Sequence, residues 1–287
     1  MMKEAYEIAG AILRENMADA DRERLEAIKP ENVLVVPGTY DRIGSVLDAV
    51  GVPYVEGKPT KAALKDAQVM IVNCPGDALS RRKDQVRDWV ASGGRLWTTD
   101  WAVVPLQEMF PNYIRWNGKA TKDECIRLDK DSRGVDQITV SGPVPERPVW
   151  WLEGSSYPFK VSRDVEVMLT SKELKRLYGS SLVAVQWDYG QGKVKHIISH
   201  LYLQRTELRS PEDRMSFKQT SAKYGMDEMS MSRLSTTINL DAVPDGSVAA
   251  SLSAAGQLVS YMTAESPNDV SESISQEPET SNGFWVN

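Results

Sequence analysis

The chain has 287 residues, of which 41% are hydrophobic, and it carries a formal net charge of -6 at pH 7. This length and apolar content suffice for a substantial buried core. The acidic balance excludes the clustered basic face of a nucleic-acid-binding protein. The apolar runs are far shorter than the roughly 20 residues of a membrane-spanning helix, so no membrane partner is expected.

The cysteine content and the start of the chain predict a cytoplasmic protein. Cys74 and Cys125 are the two cysteines, too few for a disulfide framework. The residues that follow Met1 contain no apolar signal core, so secretion by a signal peptide is not expected.

The first half of the chain alternates between two periodicities. Apolar residues at helical spacing predict one helix over 3–28, which Pro30 ends. The run Val33-Leu34-Val35-Val36 then predicts a buried strand that enters a turn at Gly38. Strands alternating with helices in this way predict βαβ units and a parallel sheet. The further predicted elements are a helix over 41–50, a short helix over 60–66, a strand over 69–73, a helix over 79–91 and a strand over 95–99.

The second half is less regular but contains a hairpin signal. The alternating segment 182–189, the turn Gly190-Gln191-Gly192 and the strand 194–199 predict two antiparallel strands. Two further strands are predicted over 136–140 and 165–169. Trp150 and Trp151 would point to opposite faces of an extended segment, so at least one of them is expected to be exposed.

The composition divides the chain into four parts, which are an N-terminal helix over 1–30, an α/β domain over 31–205, a Met- and Ser-rich extension over 206–264, and a tail over 265–287. The extension contains a predicted helix over 247–264, and the pattern leaves open whether this part packs on the domain or on another chain. The tail is polar enough to predict disorder. It ends in Phe284 and Trp285, which would be either a docking peptide for a protein partner or a frayed end.

Three predicted strand ends carry a distinctive set of residues. They are Asn73-Cys74-Pro75-Gly76, the segment Thr98-Thr99-Asp100-Trp101 that follows Gly93-Gly94, and Ser199-His200 after the hairpin. Together they resemble the class I glutamine amidotransferase-like superfamily, including its trehalose-utilisation-type branch. The resemblance covers residues 31–204. It implies a flavodoxin-like α/β fold, a mostly parallel sheet flanked by helices, with ligands at the carboxyl ends of its strands. It also implies, from similar bacterial proteins, an AAA ATPase or a von Willebrand A-domain protein as partner.

The chain departs from the family at the nucleophile. The resemblance implies a Gly-x-Cys-x-Gly elbow at the end of strand 95–99, where this chain has Thr99-Asp100-Trp101. Cys74 lies at another strand end, but Pro75 has no N–H to offer an oxyanion. Glutamine amidotransferase chemistry is therefore not expected, and Cys74 is interpreted as a buried structural cysteine.

Asp100 and His200 are the candidate catalytic residues. Asp100 could orient a base, ligate a metal, act as a general base or cap the turn that follows it. His200 could be its acid–base partner, form half of a metal site with it, or be a buried histidine bonded to backbone. No Cys-x-x-Cys, helical histidine pair or phosphate-binding loop occurs, so neither a metal nor a cofactor is predicted. The predicted ligand contacts around this pair are Gly38, Thr39, Asn73, Cys74, Thr99 and Trp101.

These observations favour a non-catalytic binding or scaffolding module of a bacterial multiprotein assembly. The alternative is a hydrolase or isomerase that acts on a small polar or sugar-like ligand through Asp100 and His200, and a metal-dependent enzyme is a third hypothesis. The sequence predicts neither the substrate nor the oligomeric state.

Overall fold

A computed structural model of the chain describes residues 1–129, 147–264 and 285–286. Its helices are Met2–Asn16, Asp19–Glu26, Ile43–Val50, Ala63–Asp66, Asp77–Ser80, Lys83–Ala91, Val103–Met109, Lys172–Tyr178, Phe217–Thr220, Glu228–Ser235 and Asp245–Thr263. Its strands are β1 (Val33–Val36), β2 (Val55–Glu56), β3 (Val69–Val72), β4 (Arg95–Thr99), β5 (Ile114–Trp116), β6 (Glu124–Arg127), β7 (Val149–Leu152), β8 (Phe159–Ser162), β9 (Glu166–Thr170), β10 (Leu182–Tyr189), β11 (Gly192–Ile197) and β12 (Trp285–Val286).

The central sheet has seven strands in the order β2-β1-β3-β4-β11-β10-β9. The first five strands in this order, from β2 to β11, pair in parallel with their neighbours. β10 then pairs antiparallel with both β11 and β9. The predicted α/β fold class, the mostly parallel sheet and the late hairpin are therefore confirmed.

The parallel register brings three strand ends to one edge of the sheet. Val36 lies opposite Val72 in the β1–β3 pair, and Val72 lies opposite Thr98 in the β3–β4 pair. Thr99 in turn lies opposite Ile197 of β11. The residues just beyond β3, β4 and β11 are therefore neighbours in space, although about 25 and 100 residues separate them along the chain.

The prediction of one helix over 3–28 is wrong, because the chain breaks into extended backbone at Met17 and Ala18. The Asn16 side chain amide donates to the carbonyl of Ile12 and to that of Tyr224. It therefore satisfies a carbonyl at the helix end, as a C-terminal cap does, and ties the break to a distant segment. The predicted helix 79–91 is likewise divided, into Asp77–Ser80 and Lys83–Ala91.

The C-terminal helix Asp245–Thr263 packs on the same core as the N-terminal helix and the sheet. Ser253 accepts a hydrogen bond of 2.6 Å from the Trp150 indole, and Tyr261 donates to the carbonyl of Leu96. This settles the open question about the extension, whose long helix packs on its own chain.

The prediction that Trp150 or Trp151 is exposed is wrong, because both side chains are buried. The C-terminal helix contacts Trp150, while the Trp151 indole donates to Asp123 at 2.6 Å. An alternating pattern identifies the two faces of a strand, but it does not show what covers each face.

Two smaller sheets complete the structure, with orders β12-β8-β5 and β6-β7. Trp285 pairs with Ser162 of β8, and its ring lies 4.7 Å from the Arg115 guanidinium. A partner-binding role of Trp285 stays a prediction.

Three further predictions lie outside the described residues. They concern Phe284, the strand over 136–140 and the disorder over 265–282. Among the described helices, none combines the length and the apolarity that crossing a bilayer requires.

Candidate functional site

Cys74, Asp100 and His200 meet at the carboxyl edge of the sheet. Each follows the end of a parallel strand, β3, β4 and β11 respectively, and each is at most 2% exposed. One ligand-type atom from each side chain lies within 4.8 Å of the other two. The predicted catalytic pair is thus brought together, and Cys74 completes a cluster of three chemically active groups.

Asp100 sits in a backbone conformation that few side chains adopt. Its φ of 44° lies in the left-handed region, which aspartate tolerates better than most residues at a cost of order 1–3 kcal/mol. Its carboxylate accepts hydrogen bonds from the Tyr157 N–H at 2.9 Å and from the Ser156 hydroxyl at 3.1 Å. These bonds connect Asp100 to the loop after β7.

His200 lies between two carboxylates. Its Nε2 atom is 3.5 Å from Oδ2 of Asp100, and its Nδ1 atom is 3.0 Å from Oε2 of Glu153. Neither contact is a hydrogen bond of good directional geometry, so both ring nitrogens remain without a hydrogen-bond partner. His200 is therefore held electrostatically at the centre of the cluster rather than bonded to backbone.

The backbone beyond His200 is fixed by two side chains from elsewhere. The Asp41 carboxylate accepts from the N–H of Leu201 at 3.0 Å and from the N–H of Tyr202 at 3.3 Å. The Tyr6 hydroxyl donates to the carbonyl of Leu201 and accepts from the N–H of Leu203. The position of the imidazole thus depends on the N-terminal helix and on the loop after β1.

Cys74 is held through its main chain. Its N–H donates to the Thr99 hydroxyl at 3.1 Å, and its carbonyl accepts from the N–H of Thr39 at 3.0 Å. Its Sγ atom lies 4.0 Å from Oδ2 of Asp100. The thiol consequently points into the cluster and not away into the core.

Charge and burial set the protonation of the cluster. Burial opposes a charge on His200, but its contacts with Asp100 and Cys74 and the negative charges of Asp41 and Asp100 raise its pKa to about 11. Burial raises the pKa of Asp100, of Cys74 and of Glu153. At neutral pH the cluster therefore contains an imidazolium beside a neutral thiol, so Cys74 is not an activated thiolate.

The other histidine has a structural environment. His196 is buried, and its Nδ1 atom lies 2.9 Å from the Thr98 hydroxyl. Burial lowers its pKa to about 3, so the ring is neutral. It therefore forms part of the packing behind the site.

Several predicted ligand contacts use their polar groups within the chain. Asn73 accepts from the N–H of Ile43 and donates to the carbonyl of Val36, and the Thr99 hydroxyl accepts from Cys74. An added Cβ at Gly38 would lie 2.1 Å from the Cys74 carbonyl oxygen, so this glycine permits a close approach of two strand ends. The structure places these residues, with Trp101, around the cluster, and their contact with a ligand stays a prediction.

Sequence reasoning missed Glu153, Ser156 and Tyr157. Glu153 is the first residue after the apolar strand β7, so the signal available was a carboxylate at a strand end. Its side chain is 34% exposed and forms the edge of the cluster nearest to solvent.

Aromatic rings flank Asp100. Trp101 stacks on Tyr157 with ring centroids 5.4 Å apart, Tyr157 stacks on Trp116, and Tyr40 meets Trp101 edge-on. A cavity of about 700 Å³ lies elsewhere, near Arg95 at the amino end of β4. We therefore place the candidate site by its chemistry rather than by cavity size.

No protein-family model matches the chain, and no curated protein is similar to it. Among solved structures, a glutamine amidotransferase from Thermotoga maritima covers 81% of this chain and 98% of its own, at 8% identity and a TM-score of 0.48. A second, from Methylobacillus flagellatus, covers 83% of this chain and 93% of its own, at 11% identity and a TM-score of 0.46. A ThuA-like protein from Bacteroides uniformis covers 60% of this chain and 83% of its own, at 12% identity and a TM-score of 0.42. All three TM-scores are below 0.5, so this similarity carries no argument about the family or the reaction of the chain.

Proposed function

We propose that the chain is an enzyme, a hydrolase or isomerase of a small polar ligand, in which Asp100 and His200 form the acid–base pair. The observation that carries the proposal is the contact between these two side chains, 3.5 Å apart and from different strand ends. Carboxyl ends of parallel strands are where open α/β sheets bind their ligands.

The arrangement supports proton transfer. Asp100 is fixed by donors from Ser156 and Tyr157. A carboxylate so fixed can hold a neighbouring imidazolium in one orientation. His200 carries the proton that a leaving group or an enediolate oxygen would take up, and Glu153 on its other side stabilises the charged ring.

The left-handed φ of Asp100 favours this proposal over the non-catalytic one. Strained backbone of this kind persists where the surrounding structure holds it, and it concentrates at active sites. Removing a histidine and two carboxylates from water costs desolvation free energy even when they are paired, and a catalytic role accounts for that cost.

The test is a substrate screen with the full chain and an Asp100→Ala variant. The panel contains chromogenic esters, amides and glycosides and a set of small hydroxy-aldehydes and hydroxy-ketones. We expect Asp100→Ala to lose at least about 100-fold in kcat/KM while remaining folded by circular dichroism, because general acid–base catalysis contributes about that much. Asp241→Ala, which removes an exposed carboxylate paired with Lys218, is the matched control and should keep full activity.

Turnover that survives in a folded Asp100→Ala variant would refute the acid–base roles. A folded wild-type chain without turnover on the panel would favour the predicted binding or scaffolding module. That module is tested by capture of partners with the full chain and with a chain truncated after Ala264. A truncation after Arg205 would remove the buried C-terminal helix and disturb the core.

A further inference from the structure

A second chemistry is available to the same cluster, because its three side chains are of the types that bind zinc. Thiolate sulfur, imidazole nitrogen and carboxylate oxygen are all zinc ligands, at about 2.3 Å for sulfur and about 2.0–2.2 Å for the others. Cys74, Asp100 and His200 supply one of each, and all three are buried.

The spacing of the three atoms fits a tetrahedral ion. Tetrahedral angles at those bond lengths place the ligand atoms about 3.3–3.7 Å from one another, with the larger values for pairs that include sulfur. The observed separations are 3.5 Å between His200 Nε2 and Asp100 Oδ2, and 4.0 Å between that oxygen and Cys74 Sγ. The third pair, His200 and Cys74 Sγ, lies within 4.8 Å. Shifts of up to about 1 Å, within the reach of side-chain torsions, would bring the three atoms to coordination distance.

The buried imidazole of His200 has ion-pair contacts but no hydrogen bond, and this is an independent observation that points to a ligand. His200 is 1% exposed, yet neither of its ring nitrogens makes a hydrogen bond. Buried polar atoms are almost always hydrogen-bonded, so two ring nitrogens without a hydrogen bond need an explanation. Its Nε2 atom is directed into the space between Cys74 and Asp100, where an ion would satisfy it.

Glu153 completes the arrangement on the other side of the ring. Its Oε2 atom lies 3.0 Å from Nδ1 of His200. A carboxylate on the far nitrogen of a metal-binding histidine fixes the tautomer and leaves Nε2 as the ligand. In the described part of the chain, moreover, neither Asp100 nor Glu153 forms an ion pair with lysine or arginine, so once His200 is neutral no basic side chain competes with a metal ion for these carboxylates.

We propose that Cys74, Asp100 and His200 bind one zinc ion, with Glu153 orienting His200 and the fourth coordination position open. Cys74 binds as the thiolate and His200 as the neutral imidazole, so each gives up a proton to solvent. Zinc then occupies the atoms that the acid–base pair uses, and it inhibits the reaction reversibly. This regulatory consequence rests on the proposed function, whereas the binding itself does not.

Cobalt substitution tests the site without an assay of activity. The metal-free full chain is titrated with Co²⁺, and the thiolate-to-cobalt charge-transfer band is recorded, followed by displacement of the cobalt with Zn²⁺. The chain has two cysteines, so in a Cys125→Ser variant any such band arises from Cys74. We expect wild type and Cys125→Ser to show the band at one equivalent, and Cys74→Ser to show none.

Two results would overturn the proposal. One is the absence of a thiolate band in the folded Cys125→Ser chain, which keeps the test valid even if Cys74→Ser fails to fold. The other is unchanged stoichiometric binding of Zn²⁺ by a folded Cys74→Ser chain in equilibrium dialysis. Neither result bears on the Asp100→Ala screen, so failure of the zinc site and failure of the proposed enzyme are told apart.

Discussion

Lys195 offers a quantitative test of the packing between the sheet and the C-terminal helix. This β11 residue is buried, and its ammonium donates to the Gln257 side chain at 2.8 Å and lies 4.6 Å from the centre of the Trp97 ring. Burial first, and then the charge of Arg95, lower the pKa of Lys195 from 10.5 to about 7. We expect the free energy of unfolding to depend on pH through this side chain.

The sign follows from proton binding in the two states. Between pH 7 and pH 10.5 the unfolded chain binds a proton on Lys195 that the folded chain does not. Stability therefore rises with pH across this window, and it is lost as the pH falls from the unfolded pKa to the folded one. Across the full window the free energy of unfolding changes by about 5 kcal/mol through Lys195. The change between pH 7 and pH 9 is about 2 kcal/mol.

The assay is urea unfolding of wild type and Lys195→Met at pH 7 and pH 9. Methionine keeps much of the side-chain volume but does not titrate. The wild type should therefore gain about 2 kcal/mol relative to the variant on going from pH 7 to pH 9. Lys65→Met, which removes an exposed lysine, is the control and should leave the pH dependence unchanged. If wild type and Lys195→Met show the same pH dependence, the lowered pKa and the reasoning behind it are wrong.

Two substitutions test how the site is positioned. Tyr6→Phe leaves the buried carbonyl of Leu201 and the N–H of Leu203 unpaired, so we expect a loss of about 2–4 kcal/mol in the free energy of unfolding, measured by urea denaturation. Gly38→Ala places a methyl group against the Cys74 carbonyl, so we expect a loss of at least about 2 kcal/mol by the same measurement.

Each of these variants has a matched control. Tyr40→Phe removes the hydroxyl of an exposed tyrosine and should change stability by less than about 0.5 kcal/mol. In Gly57→Ala the nearest neighbouring atom is 3.7 Å from the new Cβ, so its effect should stay below about 1 kcal/mol. Equal losses in a variant and its control would contradict the contacts assigned to Tyr6 or to Gly38.

The sequence by itself determined the layered core of this protein. The continuous apolar runs at 33–36 and 69–72 specify buried parallel strands, because a strand covered on both faces has no polar side. The periodicity of 43–50 and the turn at Gly190 identify a helix and a hairpin for equally local reasons. Asp100 and His200 could be selected as candidates because polar residues at the ends of such strands share one edge of the sheet.

Only the tertiary structure decided what surrounds that pair. Glu153 reaches His200 from the loop after β7, and its contact spans 47 positions of sequence that carry no periodic signal for it. The break at Met17 depends on an Asn16 contact with Tyr224, and the burial of Trp150 depends on Ser253. Local patterns record how each segment folds, whereas these contacts depend on where distant segments pack, and that is set by the whole core at once.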